Sequence, residues 1–404
     1  MQLGTRGILQ SDTFYVLSGV AVRLARRMGV HRDGTFLGLS VFETEMRRRL
    51  WWQIVHVDSR SSDFSGTRPS MDLTLSDTKR ALNVLDEDLT PEMTSPPPER
   101  LGITPCVLTI IRCDLIGSLR KFGPRSSYDT HWEKLTSSYL TVEEKDKLIS
   151  EIEELLETKY IRYCDPSLPL HFFTSILARS ALCKLRLFAH NPRQFADRGI
   201  KMPQADRDII WANGLKLLEY GNVLHATAAL RPLTWQVGTA YLWDTLLYVL
   251  IEARGRRRGP AVDRAWTLIA AVFNNYPHVF HGASDALFDA LGAWTLQVWD
   301  DCAAARRDAH EPQVREPDFI AAIRRGRKPQ AQALAEEVGA KAGGNAAAAG
   351  KAAAGDAGQA LWVEEGPAAE VDAIETYDFS NLLSFDLEPS EWEQWERLLA
   401  GQGV

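Results

Sequence analysis

Residues 40–58 read SVFETEMRRRLWWQIVHVD, and this stretch decides the fold. Ser40 stands three residues before Glu43. Its hydroxyl can accept an orphan backbone N–H while the Glu43 carboxylate reaches back, the reciprocal arrangement that opens an α-helix. Phe42, Met46, Leu50, Ile54 and Val57 then recur at three- and four-residue steps and share a face. Upstream, Phe14, Leu17, Ala21, Leu24, Ala25 and Met28 do the same after Ser11-Asp12, and Gly29 falls where a left-handed residue would end the helix. Downstream, Thr141 and Glu144 repeat the capping box ahead of Leu148, Ile149, Ile152, Leu155 and Leu156. Further helices are predicted over residues 168–190, 205–229, 234–253, 261–275 and 284–306. Asp33-Gly34 and Asn213-Gly214 are hairpin dipeptides, but neither is flanked by alternating strands. The reading is an all-α, multi-helix fold.

Two stretches interrupt the helical pattern. Residues 61–105 scatter Pro69, Pro91, Pro96, Pro97, Pro98 and Pro105 through polar sequence, which predicts a long irregular crossing between two helical groups. Between Ala331 and Ala360, fourteen Ala and six Gly fill thirty positions, leaving nothing large to bury. The expected organisation is a helical domain over 1–330, an Ala/Gly-rich linker over 331–360 and an acidic aromatic tail over 361–404.

The chain is 45% hydrophobic and 25% charged, an ordinary globular balance that excludes wholesale disorder. A formal charge of −7 provides no overall drive toward nucleic acid or anionic membrane, so any DNA contact must be local. The charge is uneven, because residues 361–404 hold eleven acids and one base, Arg397. Cys106, Cys113, Cys164, Cys183 and Cys302 are spread singly with no CxxC pair, so neither a disulfide framework nor a thiolate metal cage is read. No run approaches the ~18 apolar residues of a membrane span, and Met1–Gln10 lacks a charged-then-apolar signal. The expected compartment is the cytosol or nucleus.

The recurring catalytic arrangements are missing: there is no GxxxxGK[ST] cradle, GxGxxG loop, GxSxG elbow or HExxH helix. Asp300-Asp301 hints at a magnesium-binding acidic pair, but Cys302-Ala303-Ala304 withholds a third acid one turn on, so an all-α enzyme is the less favoured reading. His31 reads as a loop hydrogen-bonder. Arg47, Arg48 and Arg49 cover most of a helix circumference and cannot all face one phosphate backbone. With Glu43 and Glu45 four residues ahead of Arg47 and Arg49, intrahelical pairing is expected instead.

Two other basic runs read as exposed charge and candidate nuclear-import signals: Arg254, Arg256, Arg257 and Arg258, then Arg324, Arg325, Arg327 and Lys328. A solubilising loop accounts for each run equally well. In the tail, Trp362, Tyr377, Phe379, Phe385, Trp392 and Trp395 are interspersed with acids, whose repulsion keeps apolar groups solvated and available to partners. Ser390 and Glu393 form another capping box, and Trp392, Trp395 and Leu399 then share a face. Ten residues are too few to hold a helix alone in water, so folding on a groove is the expected use. Candidate activation residues are Phe385, Trp392, Trp395, Leu398 and Leu399.

The motifs themselves carry a resemblance. Residues 18–34, SGVAVRLARRMGVHRDG, are followed by residues 42–54 with Asp58, by Gly66-Thr-Arg-Pro69, by residues 82–89, LNVLDEDL, by Thr104-Pro105 and by Arg112-Cys113-Asp114. This series resembles the fungal-specific transcription factor domain, the middle homology region of binuclear zinc-cluster (Zn2Cys6) regulators. It is strongest over residues 11–115, with weaker helical similarity to about residue 325. The resemblance implies a nuclear transcription regulator, not an enzyme, with a DNA reader toward the N-terminus and an activating tail. It also implies partners: the transcription machinery or coactivators through the tail, DNA only indirectly or through a missing zinc cluster, a homo- or heterodimer, and no membrane. The six-cysteine cluster is absent, so no cofactor is expected in this chain, zinc is expected only in full-length relatives, and Met1 reads as a truncated start. Gly-Thr-Arg-Pro also departs from the Gly-Arg-Pro of many relatives, and no DNA-contacting residue carries over. The signature positions Glu43, Glu45, Arg47, Arg48, Arg49, Trp51, Trp52 and Asp58 are read as structural, a charge network on one helix with indoles anchoring the interior. The rival reading is a non-DNA-binding interaction protein or corepressor that pairs with full-length relatives.

Overall fold

The computed structural model describes residues 11–65, 75–120, 135, 140–192, 202–237, 240–276, 286–312 and 314–325. Among these there is no strand, and the architecture is all-α. Among the described residues the main α-helices run in chain order: α1 Ser11–Arg27, α2 Val41–Ser65, α3 Val107–Arg120, α4 Val142–Lys159, α5 Pro169–Ala189, α6 Gln204–Ala226, α7 Ala240–Arg256, α8 Pro260–Asn275 and α9 Ala286–Asp308. A helical stretch at 318–325 follows. The linker at 331–360 and the tail at 361–404 lie outside the described residues.

Helix ends follow the expected chemistry. Gly29 takes φ +70°, and the Val30 and Gly29 N–H groups donate to the Ala25 and Arg26 carbonyls, which closes α1. Glu43 N–H donates to the Ser40 hydroxyl at 3.2 Å, opening α2. At α4 both halves of the capping box form: Glu144 N–H donates to Thr141 Oγ1 and Thr141 N–H to the Glu144 carboxylate. The break expected after residue 229 falls earlier, at Thr227, and a 3-10 segment, Ala228–Gln236, carries Pro232 before α7 begins.

Two large cores hold the body together. One joins α3, α4 and α5 through Ile110, Ile111, Leu148, Ile149, Ile152, Leu156, Phe173 and Leu185. The other joins α6 to α9 around Trp211, Trp243, Trp266, Trp294 and Trp299, with the Trp266 and Trp299 rings edge to face at 4.9 Å. Tyr220 of α6 packs against both. His190, at the end of α5, is buried and clamped by Asp206 at 2.7 Å and Asp146 at 2.9 Å, which ties α4, α5 and α6 together.

The N-terminal pair departs from the sequence pattern. Helix α1 buries Ser18, Val22 and Ala25 against Trp51 and Val55 of α2, while Leu17, Leu24 and Met28 of the expected stripe are exposed. A fully buried indole on α2 leaves room only for small or slim residues opposite it, so the bulkier face of α1 turns outward. Ser18 and Ser61 hydroxyls meet at 2.7 Å across the same seam. On α2 the expected apolar face is likewise displaced, because Leu50 is exposed and the buried positions are Thr44, Glu45, Trp51, Val55, Asp58 and Ser61.

The predicted crossing at 61–105 begins later than expected, because α2 continues to Ser65. From residue 75 onward it is irregular but tightly held. Asn83 is its pin: the side-chain amide donates to the Arg100 and Gly102 carbonyls and accepts from Thr104 Oγ1, all within 2.9 Å. Neither Asp33-Gly34 nor Asn213-Gly214 forms a hairpin; the first opens a 3-10 turn, Gly34–Leu37, and the second lies inside α6.

Gly34 is packed so closely on α2 that a Cβ added there would stand 2.9 Å from the Thr44 Cα. Replacing Gly34 by Ala is therefore expected to lower the unfolding free energy by about 1–3 kcal/mol. Urea denaturation checks this, and an unchanged midpoint would contradict the packing argument.

Candidate functional site

The residues that carry the strongest motifs converge on one buried carboxylate. Asp33 is fully buried in the turn between α1 and α2, fifteen residues before its partner Arg48. The Arg48 guanidinium donates through Nε to Asp33 Oδ2 and through Nη2 to Oδ1, both at 2.8 Å, the bidentate fork that suits a carboxylate. Asp33 Oδ1 also accepts from the Thr35 N–H and hydroxyl, and Oδ2 accepts from the Lys79 N–H at 2.9 Å. Burial by itself would raise the Asp33 pKa, but the bonds from Arg48, Thr35 and Lys79 outweigh it and hold the carboxyl well below its ordinary range. Asp33 thus joins three segments: the α1–α2 turn, α2 and the irregular strap at 75–105.

Its neighbours extend the connection. The Asp33 N–H donates to Asp77 at 2.7 Å, and Asp77 pairs with Arg32 at 2.8 Å. The Ser76 hydroxyl and Asp77 N–H both donate to the His31 carbonyl. His31 is therefore a loop hydrogen-bonder through its main chain, whereas its ring lies tilted against Trp51 and Nδ1 has no partner among the described residues.

The structure places the other signature residues around this centre. Arg47 pairs with Glu43 at 3.5 Å and donates to the Met28 carbonyl at the end of α1. Arg49 pairs with Glu45 at 3.1 Å, as the four-residue spacing predicts, and also reaches Asp86 at 2.7 Å. Glu45 is buried and accepts the Leu82 N–H; burial pushes its carboxyl up, against the pull of that bond and of Arg49. Trp51 fills the α1–α2 seam, and Trp52 donates to the Lys79 carbonyl at 2.9 Å. Asp58 is buried lower on α2. Arg48 alone breaks the intrahelical expectation, because its carboxylate comes from the preceding turn. Asp77 and Lys79 were not singled out in the sequence, and Asp33 and Asp86 entered it only within a dipeptide and the family motifs, with no pairing role; His-Arg-Asp-Gly ahead of an arginine-rich helix is the signal that could have marked Asp33.

The two basic runs are not free loops over their described part. Arg254 pairs with Asp301 at 2.9 Å and lies over the Trp294 ring. Arg256 pairs with Asp208 and Glu252 and lies over Trp211. Arg258 pairs with Glu311, while Arg257, at φ +64°, turns the chain after α7. Arg324 grips Asp300 with both Nη atoms and also bonds Glu316, and Arg325 caps the Ala321 carbonyl. Arg327 and Lys328 lie outside the described residues, as do Phe385, Trp392, Trp395, Leu398 and Leu399. Asp300 and Asp301 are thus each committed to an arginine.

The cysteines do not fit a zinc cluster. Cys113, Cys183 and Cys302 are buried, and burial pushes the thiols of Cys183 and Cys302 up to about 11, away from the thiolate a metal needs. Among the described residues no group of three or more His, Cys, Asp and Glu side chains is arranged to hold a metal ion. None of the helices among them is long and apolar enough to cross a membrane.

Removing Arg48 would strand a buried carboxylate, so Arg48→Ala is expected to cost about 3–5 kcal/mol of stability. The pH dependence has a fixed sign. A depressed carboxyl stabilises the fold fully above its unfolded value of 3.8, and that contribution is lost as pH falls below it. Chemical denaturation across this range should find the parent chain losing stability more steeply than Asp33→Asn, which has nothing to protonate there; parallel slopes would refute the assignment.

Residues 4–126 match the family described as fungal specific transcription factor domain. The chain is 31% identical over 337 residues to the Aurofusarin cluster transcription factor aurR2 of Gibberella zeae, covering 83% of this chain and 49% of the relative. It is 30% identical over 287 residues to the Transcriptional regulator AacuB of Aspergillus aculeatus, covering 70% and 38%. It is 29% identical over 284 residues to the Pyriculol/pyriculariol biosynthesis cluster transcription factor 1 of Pyricularia oryzae, covering 69% and 37%. The chain therefore spans half or less of the length of these curated relatives, and no solved structure matches it. The arginine-rich helix, the buried Asp33–Arg48 pair and the strap that closes over them all fall within residues 4–126, the stretch that matches the fungal specific transcription factor domain.

Proposed function

We propose that this chain regulates transcription by binding and not by catalysis, its helical body serving as a regulatory scaffold for an acidic, aromatic activation tail. The observation that carries the reading is the family match over residues 4–126, together with three relatives whose names are those of transcription factors or regulators. The charge chemistry is consistent with it. Apart from the tail, the acids and bases are close to balanced, and the conspicuous arginines are spent on internal ion pairs, so sequence-specific DNA contact is assigned to a reader outside the described residues or to a dimer partner. The tail supplies what a coactivator groove takes up: Phe385, Trp392, Trp395, Leu398 and Leu399 among eleven acids. The site of action is the nucleus.

Two of the relatives are named for biosynthetic clusters. By extension we assign this chain a set of co-regulated biosynthetic genes as its targets. Deleting its gene should lower the transcripts of one such set severalfold in expression profiling, and an unchanged profile under producing conditions would count against this assignment.

A second reading, an interaction protein or corepressor that pairs with full-length relatives, is favoured by one observation: the five cysteines do not assemble a zinc cluster. Fusing residues 361–404 to an unrelated DNA-binding domain upstream of a reporter separates the two. Activation is expected, and substitution of Trp392 and Trp395 by Ala should abolish most of it. A silent fusion would overturn the activator reading in favour of the corepressor.

A further inference from the structure

Of the Arg112-Cys113-Asp114 motif, only the acid is spent on packing. Asp114 accepts from the Tyr160 hydroxyl at 2.7 Å and from Lys159 at 3.1 Å, which fastens α3 to the end of α4. Arg112, two residues away, faces elsewhere. Its Nη1 donates to the Gln236 side-chain oxygen at 3.2 Å and its Nη2 to the Gln236 main-chain carbonyl at 3.1 Å. Among the described residues no carboxylate pairs with it, and the Nε–H and one N–H on each Nη atom have no acceptor. Close to it on α2 stand His56 and Arg60, four residues apart and so on one face. The nearest acid along α2, Asp58, is two residues from both and on another face. His56 Nε2 is buried without a hydrogen-bond partner among the described residues.

Three bases thus converge where α2, α3 and the end of the Ala228–Gln236 segment meet. Burial, followed by the charge of Arg60, lowers the Arg112 pKa to about 10. Burial, followed by the charges of Arg112 and Arg60, holds His56 well below its ordinary value, so its ring is neutral at pH 7. Arg48, Arg49 and Arg306 are also largely shielded from water, but each has an acid: Asp33, Glu45 and Asp263. A shielded guanidinium with no counter-charge is costly, and proteins keep such a cost where a ligand relieves it. His56 and Arg112 both retain some accessible surface despite their burial, the condition of side chains that line a recess and are not sealed in a core.

We propose that this recess binds the carboxylate head of a small organic anion, with Arg112 gripping the carboxylate, His56 donating to it through Nε2, and Arg60 beside them. One shielded charge without a partner calls for one negative charge, and the planar guanidinium fork matches a carboxylate. A phosphate dianion fits less well, because two charges must be stripped of water against a single uncompensated cation. A neutral imidazole supplies its N–H without adding a further buried charge. The bound anion would link α2 to α3 and to the segment that leads into α7. This site does not depend on the tail, so it stands or falls apart from the activator reading.

The test uses benzoate as the probe, titrated into the full chain at constant ionic strength and followed by calorimetry and thermal unfolding. Benzoate is expected to bind once per chain and to raise Tm by about 2 °C near saturation. Benzamide, its uncharged isostere, and inorganic phosphate should each bind at least about tenfold more weakly. Arg112→Gln keeps a donor for Gln236 and removes the charge. Without ligand it should unfold at the same or a higher temperature than the parent chain, while benzoate affinity falls at least about tenfold. An arginine with a purely structural role would do the reverse, lowering Tm and leaving the benzoate response unaltered. His56→Leu, at a second position, should weaken benzoate by roughly threefold to tenfold and keeps the claim testable if Arg112→Gln does not fold. No saturable benzoate binding, equal binding of benzoate and benzamide, or affinity unaffected by both substitutions would each overturn the proposal. Preference for phosphate would overturn the assignment to a carboxylate.

Discussion

The N-terminal architecture depends on one buried ion pair. Asp33 and Arg48 meet in a bidentate fork that takes a carboxylate out of water in the turn ahead of an arginine-rich helix, and such a pair is tolerable only where every remaining lone pair is satisfied. Thr35 and Lys79 satisfy them here. The requirement explains features that look unrelated along the chain: a glycine at 34 to let the turn press on α2, a strap whose backbone N–H must reach the same carboxylate, and an asparagine at 83 that pins the strap in place. Desolvation of both ions offsets much of their attraction, which is why the surrounding donors are needed to hold the carboxylate in place.

Around that pair, charge and packing divide the work. The two helical cores, one over α3 to α5 and one rich in tryptophan over α6 to α9, are held by apolar burial in the ordinary way. Arginines then fasten helix ends across the surface: Arg254 and Arg324 to adjacent acids of α9, Arg256 to α6. Within the two basic runs, Arg254, Arg256, Arg258 and Arg324 are in this way committed to acids of the body.

The sequence by itself determined the fold class and most helix boundaries, because capping boxes, helix-ending glycine and three- and four-residue periodicity are local and need no knowledge of neighbours. Thr141 with Glu144, Gly29 after α1, and the Leu148, Ile149, Ile152 and Leu156 stripe are legible from the letters alone. So were the Arg47 and Arg49 pairs, whose acids lie one turn away on the same helix. The family resemblance was legible for the same reason, since its motifs are contiguous. What only the tertiary structure decided is which face of α1 and of α2 is inside. On α1 the bulkier apolar face turns outward because Trp51 fills the seam opposite, and that volume constraint comes from another helix. The partner of Arg48 was hidden likewise: a bidentate contact fifteen residues away depends on the direction of an intervening turn, which no spacing rule encodes. The basic runs read as free charge for the same reason, since Asp208, Asp300, Asp301 and Glu311 become their neighbours only when the helices pack.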